Sequence, residues 1–412
     1  MNAHTQIVRR NTAVLSAATA LNWAVIVLLA SLTALTTAFH FGLPELGGLA
    51  FGVNLLAYAA GGLLFGRALD AWGRRNALIV AFLTGALGAL VIYLGVDWIS
   101  LPVAAVGLLL TGLGTGGANL TRVAGADMQP PQRRARGIAL VLLGAAFGAI
   151  GAPIVFAPAL AGARAQEGAA LAAPWLIAAV VLAVGAVLLV AIRVDPRRIA
   201  EMVAAEAGGA PASAAPARPV AELLRLPLVP LAILAAIVAQ AVMTSMMALA
   251  GVVMAAHGHD LGVISLTVSF HFVGMFGLVL IVGRLVERIG KLRSVVLGLV
   301  VLAGGVLLLL PGPQLLTFMP GMFVVGVGWN IAFVASSTVL ADSAQASERG
   351  RLLGFSDFVA ILAAAGLSGI AGVVVGNLGL GVFVVVGVLT ALIPAGLIVL
   401  NRRRLGLPAV QG

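Results

Sequence analysis

The chain has 412 residues, of which 61% are hydrophobic and only 9% are charged, and it contains no cysteine. A soluble domain averages about 25% charged residues, so this composition excludes an ordinary water-facing globular protein. The apolar runs are long and unbroken, which is typical of membrane helices and not of the short, alternating strands of a barrel. The lack of cysteine excludes disulfides and thiolate metal sites.

Twelve apolar runs predict twelve transmembrane helices, because each crossing needs about 20 apolar residues. The expected fold class is therefore an all-α integral membrane protein. The first run is too long for the core of a cleavable signal peptide, so we interpret it as the first membrane helix. In chain order, the predicted spans are 12–38, 46–65, 77–95, 101–121, 137–157, 174–192, 227–256, 261–283, 294–311, 315–341, 352–376 and 379–400.

The net charge of +10 is distributed according to this topology. If the spans alternate in direction, every cluster of arginine and lysine falls on one side of the membrane, and Arg164 alone falls on the other. The positive-inside rule then predicts that both termini lie in the cytoplasm. We expect a multi-pass protein embedded in the lipid bilayer of a bacterial inner membrane, and the basic residues do not indicate a nucleic-acid surface.

Two predicted loops carry the same pattern. The loop after the second span reads GRALDAWGRRNAL (66–78), and the loop after the eighth reads GRLVERIGKLRSV (283–295). A second pair of segments supports the repeat: TGLGTG before ADMQPPQRRARG, and VGVGWN before ADSAQASERGR. The patterned residues are Gly66, Asp70, Gly73, Arg74 and Arg75 in the first loop and Gly283, Arg284, Glu287 and Gly290 in the second.

The repeat predicts two six-helix halves, residues 1–192 and 227–412, joined by a cytoplasmic linker over 193–226. The Ala/Pro/Gly-rich stretch 201–219 inside this linker is aperiodic, so we expect it to be flexible. Parallel repeats of this kind pack around an axis along the membrane normal, with the substrate path between them. No nucleotide-binding or hydrolytic motif is present, so the sequence predicts a transporter that is not an enzyme and has no prosthetic group.

Twelve spans in two repeats, with Gly66-Arg67-x-x-Asp70-x-x-Gly73-Arg74-Arg75 between spans two and three, resemble the major facilitator superfamily. In that family the acid and base of this motif hold the cytoplasmic ends of the two halves together in the outward-open state. The resemblance implies this gating role for Asp70 and Arg74, with Asp357 near the start of span eleven as a further member. The alternative is that the charges only anchor the loop in water and set the topology.

Few polar groups lie inside the predicted spans. No Asp or Glu falls near the middle of a span, which disfavours a carboxylate proton relay and a pocket for cationic drugs. The other polar and aromatic residues in the spans are more typical of helix–helix hydrogen bonds and interface anchors than of ligand contacts. They are Asn22, Trp23, Asn54, Asn119, Gln240, Trp329 and Asn330.

Two pairs of soft-ligand residues fall in consecutive spans. Met243 and Met247 are four residues apart in span seven, and His271 and Met275 are four apart in span eight, so each pair shares a face of its helix. Equal distances from a turn near His259 put the two pairs at the same depth, near the bilayer midplane. Thioethers with a neutral imidazole favour Cu(I). Gap-filling methionines and a hydrogen-bonded structural histidine are the alternative.

The two pairs also resemble those of the CcoA-like transporters, which import copper for assembly of haem-copper cytochrome oxidase. That group carries M-x-x-x-M in span seven and H-x-x-x-M in span eight. The resemblance implies that Met243 and His271 are the main copper ligands, supported by Met247 and Met275, and that a cytoplasmic copper chaperone is a candidate recipient. The better-known members contain cysteines and this chain has none, so a thiol-dependent handover has no counterpart here.

The turn HGHD offers His257, His259 and Asp260 as a candidate site for external capture of the metal, although a simple polar turn between two helices is the favoured alternative. A second functional hypothesis is a proton-coupled exporter of drugs or small apolar metabolites, in which the methionines form an adaptable pocket. A third is a non-transporting membrane sensor or assembly factor, for which the chain offers no extra soluble domain. We expect a monomer.

Overall fold

A computed structural model of the protein describes residues 3–43, 46–165, 172–206, 217–259 and 261–401, and the secondary structure in these ranges is helical. Short π-helical turns follow α1 (Thr36–His40) and α11 (Val273–Gly277). The α-helices are α1 Ala3–Leu35, α2 Gly47–Trp72, α3 Arg74–Asp97, α4 Leu101–Ala118, α5 Thr121–Asp127, α6 Arg134–Ala165, α7 Ala173–Val190, α8 Pro196–Glu206, α9 Val220–Leu223, α10 Leu228–Ala256, α11 Leu261–Phe272, α12 Val279–Ile289, α13 Lys291–Leu307, α14 Leu315–Ser343 and α15 Arg349–Leu400.

Within the described ranges, ten helices are long and apolar enough to cross a membrane, and one further span is bent. The bent span joins Leu266–Gly277 to Val279–Ile289 at an angle of 43°. The predicted ninth span corresponds to α13, which has 17 residues. Predicted spans eleven and twelve both lie in α15, which breaks at Gly379, where a φ of +82° ends the helical geometry. The prediction of an all-α integral membrane protein is confirmed.

The chain forms two compact units. Unit 1 consists of Met1–Pro130, Leu140–Pro216 and Ala346–Phe358, and unit 2 consists of Pro131–Ala139, Ala217–Gln345 and Val359–Gly412. The units follow the two halves of the sequence except at two short segments. The start of α6 groups with unit 2, and the start of α15 groups with unit 1.

Each unit has a pair of neighbouring helices that touch backbone to backbone. In unit 1, a Cβ atom on Gly114 of α4 would lie 2.1 Å from the backbone nitrogen of Gly85 in α3. In unit 2, a Cβ atom on Gly328 of α14 would lie 2.3 Å from the backbone nitrogen of Leu302 in α13. Small residues are what allow membrane helices to pack this closely, because lipid provides no hydrophobic drive for helix association.

The predicted linker is partly helical. Helix α8 covers Pro196–Glu206 and therefore includes the first residues of the stretch that we expected to be flexible. Ile199 and Ala200 of this helix are buried, so α8 packs against the rest of unit 1. Residues 207–216 of the predicted flexible stretch lie outside the described residues.

Candidate functional site

Arg74, the first residue of α3, has a fully buried guanidinium in unit 1. Its Nη1 donates to Asp70 Oδ1 at 2.8 Å, and its Nε donates to Asp127 Oδ2 at 2.7 Å. The side chains of both acids are also buried, with 1% and 0% exposure. Buried charges are stable only when they are paired and hydrogen-bonded, so this contact ties α2, α3 and α5 together.

The carboxylate of Asp70 also caps helix α15. Its oxygens accept hydrogen bonds from the backbone N–H groups of Gly350 at 2.9 Å and Arg351 at 2.8 Å. These donors have no partner within the helix, and the helix dipole favours a negative charge at this end. Arg349 adds a second link, because its Nη1 donates to Asp127 Oδ1 at 2.6 Å. Residues of the first motif thus hold the start of α15, a segment from the second half of the sequence.

Two positions of the motif require glycine, each for a different structural reason. A Cβ atom on Gly66 would lie 2.4 Å from the carbonyl oxygen of Gly350, so only glycine allows α2 and α15 to approach this closely. Gly73 has a φ of +84°, and a Cβ atom there would lie 2.8 Å from Asp195 Oδ2. Gly73 therefore permits both the sharp turn between α2 and α3 and the close approach of Asp195.

Asp195 was not singled out from the sequence, yet its carboxylate caps two helices. It accepts backbone hydrogen bonds from Arg74 at 3.2 Å and Arg75 at 2.9 Å, at the start of α3. It also accepts one from the backbone N–H of Arg197 at 2.8 Å, in the first turn of α8. Arg75 in turn donates from Nη2 to the carbonyl of Val190 at 3.0 Å. One acid thereby joins the motif loop to α8.

Unit 2 contains the repeat of this arrangement. Asp342, at the position equivalent to Asp127, pairs with Arg134 and Lys291. Glu287, equivalent to Asp70, accepts a hydrogen bond from the backbone N–H of Arg136 at 3.0 Å. Partial burial lowers the pKa of Lys291, and the neighbouring Arg134 guanidinium lowers it further. We refer to Asp70, Arg74, Asp127, Arg349 and Arg351 as the unit 1 charge cluster, and to Arg134, Arg136, Glu287, Lys291 and Asp342 as the unit 2 charge cluster.

The remaining residues of the second motif differ in how closely they are packed. Gly290 has a φ of +90°, like its equivalent Gly73, but a Cβ atom there would meet nothing within 4 Å. A Cβ atom on Gly283 would lie 2.7 Å from the Cβ of Ala139. Arg284 is exposed. The second motif therefore keeps the positive φ of the first at Gly290, with more space around that residue, while Gly283 stays closely packed.

Asp357, which the resemblance implied as a further member of the gating group, pairs with Arg122. Its carboxylate accepts two hydrogen bonds from Arg122 Nη2, at 2.6 and 2.7 Å, and not from Arg74. The Arg122 side chain is 1% exposed and the Asp357 side chain is 13% exposed. Asp357 lies about two turns into α15, so the pair stands apart from the unit 1 charge cluster. From the sequence alone, Arg122 is part of the positive-inside pattern, and nothing in its spacing predicts the contact with Asp357.

His271, in unit 2, is fully buried and held in one orientation. Its Nδ1 lies 2.8 Å from the carbonyl oxygen of Met322 in α14. A carbonyl oxygen only accepts, so Nδ1 carries the hydrogen and Nε2 of the neutral ring has a free lone pair. Nε2 is buried and has no hydrogen-bond partner among the described residues. A buried polar atom of this kind requires an explanation, and a ligand is one.

Met275 lies in the π-helical turn Val273–Gly277 that directly follows α11, so span eight is not the continuous α-helix that we expected. The turn packs against α14 through two glycines. A Cβ atom on Gly274 would lie 2.2 Å from the carbonyl oxygen of Phe323, and one on Gly326 would lie 2.5 Å from the carbonyl oxygen of His271. Single π-helical turns inside α-helices are frequent at functional sites.

Helices α10 and α14 run antiparallel in a register that two contacts define. Trp329 Nε1 donates to Gln240 Oε1 at 2.9 Å. Beyond the far end of α10, His259 Nε2 donates at 2.7 Å to the carbonyl of Pro313, which lies two residues before the start of α14. The Gln240–Trp329 contact also shows which face of α10 points toward α14.

This register gives the level of both methionines of span seven. Counting outward from Gln240, Met243 comes opposite Gly326 and Met247 comes opposite Met322. Met322 is also the residue bonded to His271, and a Cβ atom on Gly326 would lie 2.8 Å from the backbone nitrogen of Met275. Met243, Met275 and Met322 are buried, and Met247 is half-buried.

A cluster of aromatic rings lies beside these residues. Phe333 stacks on Trp329 with a centroid separation of 4.8 Å, and Phe276 meets the same indole edge-on at 5.9 Å. Gln240, which accepts from this indole, donates from Nε2 to Thr244 at 3.1 Å. Two other polar candidates make helix–helix hydrogen bonds in unit 1: Asn22 donates to the carbonyl of Thr115 and Asn54 to that of Leu108.

The residues of the predicted external turn are engaged with the backbone. His257 Nδ1 donates to the carbonyl of Val253 at 2.8 Å, and His259 donates to Pro313 as described. Gly258 between them has a φ of +82°, which a tight turn requires. Asp260 lies outside the described residues. In the described part of the chain, no three His, Asp or Glu side chains come together in a way that could hold a metal ion.

The comparison with known families agrees with this architecture. The sequence profile of the Major Facilitator Superfamily matches residues 12–255 and 231–410, which together cover nearly the whole chain. The protein therefore belongs to the Major Facilitator Superfamily. It is a multi-pass membrane protein and a secondary transporter of small solutes, not an enzyme.

Two transporters are similar to the chain over most of its length. It is 27% identical to the riboflavin transporter RfnT of Brucella anthropi over 356 residues, covering 85% of each chain. It is also 27% identical to the uncharacterised transporter YdeG of Bacillus subtilis, covering 85% of this chain and 83% of the relative.

Solved structures with the same fold are more distant in sequence. The proton:xylose symporter XylE superposes with a TM-score of 0.76 at 16% identity, covering 96% of both chains. The human organic anion transporter MFSD10 gives a TM-score of 0.71 at 16% identity, covering 97% of this chain and all of the other. At this level of identity the similarity concerns the fold alone.

Proposed function

We propose that this transporter carries copper as Cu(I), bound by Met243, Met247, His271 and Met275, and imports it into the cytoplasm for uses such as cytochrome oxidase assembly. The observation that carries the proposal is the buried Nε2 of His271, which has no hydrogen-bond partner in the described part of the chain. The imidazole is oriented by a hydrogen bond from its other nitrogen to the carbonyl of Met322. Histidines that bind metals are held in this way, with the second ring nitrogen bonded to a carbonyl or carboxylate.

The surroundings of His271 also support a soft cation. Met243 and Met275 are nearly fully buried residues, with 4% and 2% exposure. Sulfur ligands of this kind select Cu(I) over the oxygen-seeking ions calcium and magnesium. The four residues carry no negative charge, so binding is weak enough for release. A negative-inside potential drives a monovalent cation inward by about 2.3 kcal/mol per 100 mV.

The test measures cellular copper in a strain that lacks the transporter and carries single variants. His271→Asn keeps a donor for the Met322 carbonyl but removes the Nε2 lone pair. Met243→Leu preserves volume but removes the thioether. We expect each to lower the rate of copper accumulation at least about tenfold at limiting copper, by analogy with the loss of affinity at perturbed metal sites.

Met246→Leu is the matched control, because Met246 is buried on the same helix but points elsewhere. A Cβ atom on Gly387 in α15 would lie 3.0 Å from its Cε. This variant should accumulate copper like the parent. Parental accumulation in both His271→Asn and Met243→Leu, with equal amounts of protein in the membrane, would exclude the copper proposal.

A planar aromatic solute is the second candidate, favoured by the ring cluster at Trp329. Phe333 and Trp329 stack at 4.8 Å, and Gln240 offers an amide beside them. Aromatic faces and a few polar groups are typical of sites for flat organic ligands, and one relative is named a riboflavin transporter. Uptake of labelled riboflavin that falls in Phe333→Leu, but not in Met243→Leu, would favour this candidate over copper.

A further inference from the structure

Unit 1 contains a polar pocket of about 500 Å³ between the start of α3 and helix α8. Its charged lining comes from the motif loop on one side and from the segment after α7 on the other. The charged residues are Arg75, Arg193, Asp195, Arg197, Arg198 and Glu201.

The two acids of the pocket are already occupied. Asp195 accepts the backbone hydrogen bonds that cap α3 and α8. Glu201 pairs with Arg197 at 3.3 Å. The pocket has four arginines and only these two acids, so a net charge of +2 remains inside it, which favours an anion.

Three of these arginines have donors that lack an acceptor among the described residues. Arg193 and Arg198 are exposed, and within the described ranges neither makes a hydrogen bond or an ion pair. The Nε of Arg75 is buried and has no acceptor among the described residues. Guanidinium groups present several N–H donors in a fixed plane, which suits the oxygens of a phosphate.

An apolar groove of about 480 Å³ continues from the pocket along α2 and α3. The two cavities share Ala71 and Trp72, and the groove is otherwise lined mainly by apolar side chains, including Leu64, Phe65 and Val80. Leu64 is 52% exposed and Trp72 is 58% exposed. An exposed tryptophan between a polar and an apolar surface is typical of the membrane interface.

We propose that the pocket and the groove together bind one anionic phospholipid. Its phosphate lies against Arg75, Arg193 and Arg198, Trp72 lies at the level of the glycerol backbone, and one acyl chain follows the groove. Basic pockets at the cytoplasmic ends of membrane helices are known sites for anionic headgroups. The lipid would connect α2, α3 and α8, and so stabilise the loop that carries the first motif.

Thermal unfolding of the purified full-length protein in detergent tests this proposal. Phosphatidylglycerol should raise the midpoint by about 2 °C or more, and phosphatidylcholine with the same chains should not. The double variant Arg193→Gln/Arg198→Gln should lose this difference between lipids. Arg288→Gln/Arg293→Gln is the matched control, because it removes the same charge from two exposed arginines of unit 2 and should retain the difference.

Three outcomes would overturn the proposal. Equal shifts with both lipids would mean that the headgroup is not recognised. A phosphatidylglycerol response in Arg193→Gln/Arg198→Gln equal to that of the parent would place the lipid elsewhere. A full shift with inorganic phosphate or glycerol phosphate alone would assign the pocket to a soluble anion and leave the groove without a role. None of these outcomes depends on copper transport.

Discussion

The two charge clusters occupy equivalent positions of one repeat, yet they differ in burial. In the unit 1 charge cluster, the side chains of Arg74 and Asp127 are 0% exposed, and each makes at least two charge-assisted contacts. In the unit 2 charge cluster, Lys291 is 37% exposed and Asp342 is 18% exposed. The same sequence pattern therefore produces a charge cluster with a fully buried centre in unit 1 and a partly solvent-exposed charge cluster in unit 2.

The difference arises from the side chains that fill equivalent positions. Unit 1 has a planar guanidinium at Arg74, whose fork reaches two acids at once, whereas unit 2 has the single ammonium of Lys291 at that place. A short acid, Asp70, caps the start of α15 with two backbone hydrogen bonds, whereas Glu287 makes one at the start of α6. The repeat preserves these contacts in both units, but the burial of each contact determines how much it contributes to the free energy of unfolding.

The largest effect on stability is expected from substituting the basic residue at the centre of each cluster, Arg74 or Lys291. Arg74→Gln leaves Asp70 and Asp127 buried with less compensating charge, and should lower the free energy of unfolding by about 3–5 kcal/mol. Lys291→Gln removes a partly exposed charge while Asp342 keeps Arg134, and should cost at most about 1 kcal/mol. Unfolding of both purified variants in the same detergent compares them directly. Equal losses would show that burial does not distinguish the clusters.

A smaller effect is expected at the capping acids. Asp70→Asn weakens the charge-assisted bonds to the start of α15 and should cost about 2 kcal/mol. Glu287→Gln, at a more exposed cap, should cost about 0.5 kcal/mol. Hydrogen exchange of the backbone amides at Gly350 and Arg351 should speed up in Asp70→Asn, and that at Arg136 should change little in Glu287→Gln. Unchanged protection at Gly350 and Arg351 would refute the cap.

The smallest difference in stability loss is expected between alanine substitutions at the two motif glycines, Gly73 and Gly290. Both have positive φ with extended ψ, at 84° and 164° for Gly73 and 90° and 149° for Gly290, so alanine at either position costs about 1–3 kcal/mol. Gly73→Ala carries an extra cost, because its Cβ would lie 2.8 Å from Asp195, whereas the space at Gly290 is open. Thermal unfolding should therefore give a lower midpoint for Gly73→Ala. A lower midpoint for Gly290→Ala than for Gly73→Ala would mean that Asp195 can move away from the new side chain without loss of stability.

Much of the fold followed from local pattern. Apolar length predicted the spans, and the glycines at 73 and 290 marked turns that proved to need positive φ. The repeated ADMQ and ADSA segments contained the signal for Asp127 and Asp342, although the acids were not assigned to the clusters. Span eight was predicted less well, because the π-helical turn at Val273–Gly277 depends on close packing against α14 and leaves no local signature.

By itself, the sequence determined the membrane class, the repeat and the spacing of the Met and His pairs, because hydrophobic length, spacing and residue chemistry are local properties. Tertiary structure decided which groups meet: Asp127 with Arg349 across 222 residues, and Asp357 with Arg122 across 235. It also decided that the Nε2 of His271 has no hydrogen-bond partner among the described residues, since only packing places the Met322 carbonyl against the other ring nitrogen. Such partners depend on how helices pack, and no spacing along the chain encodes them.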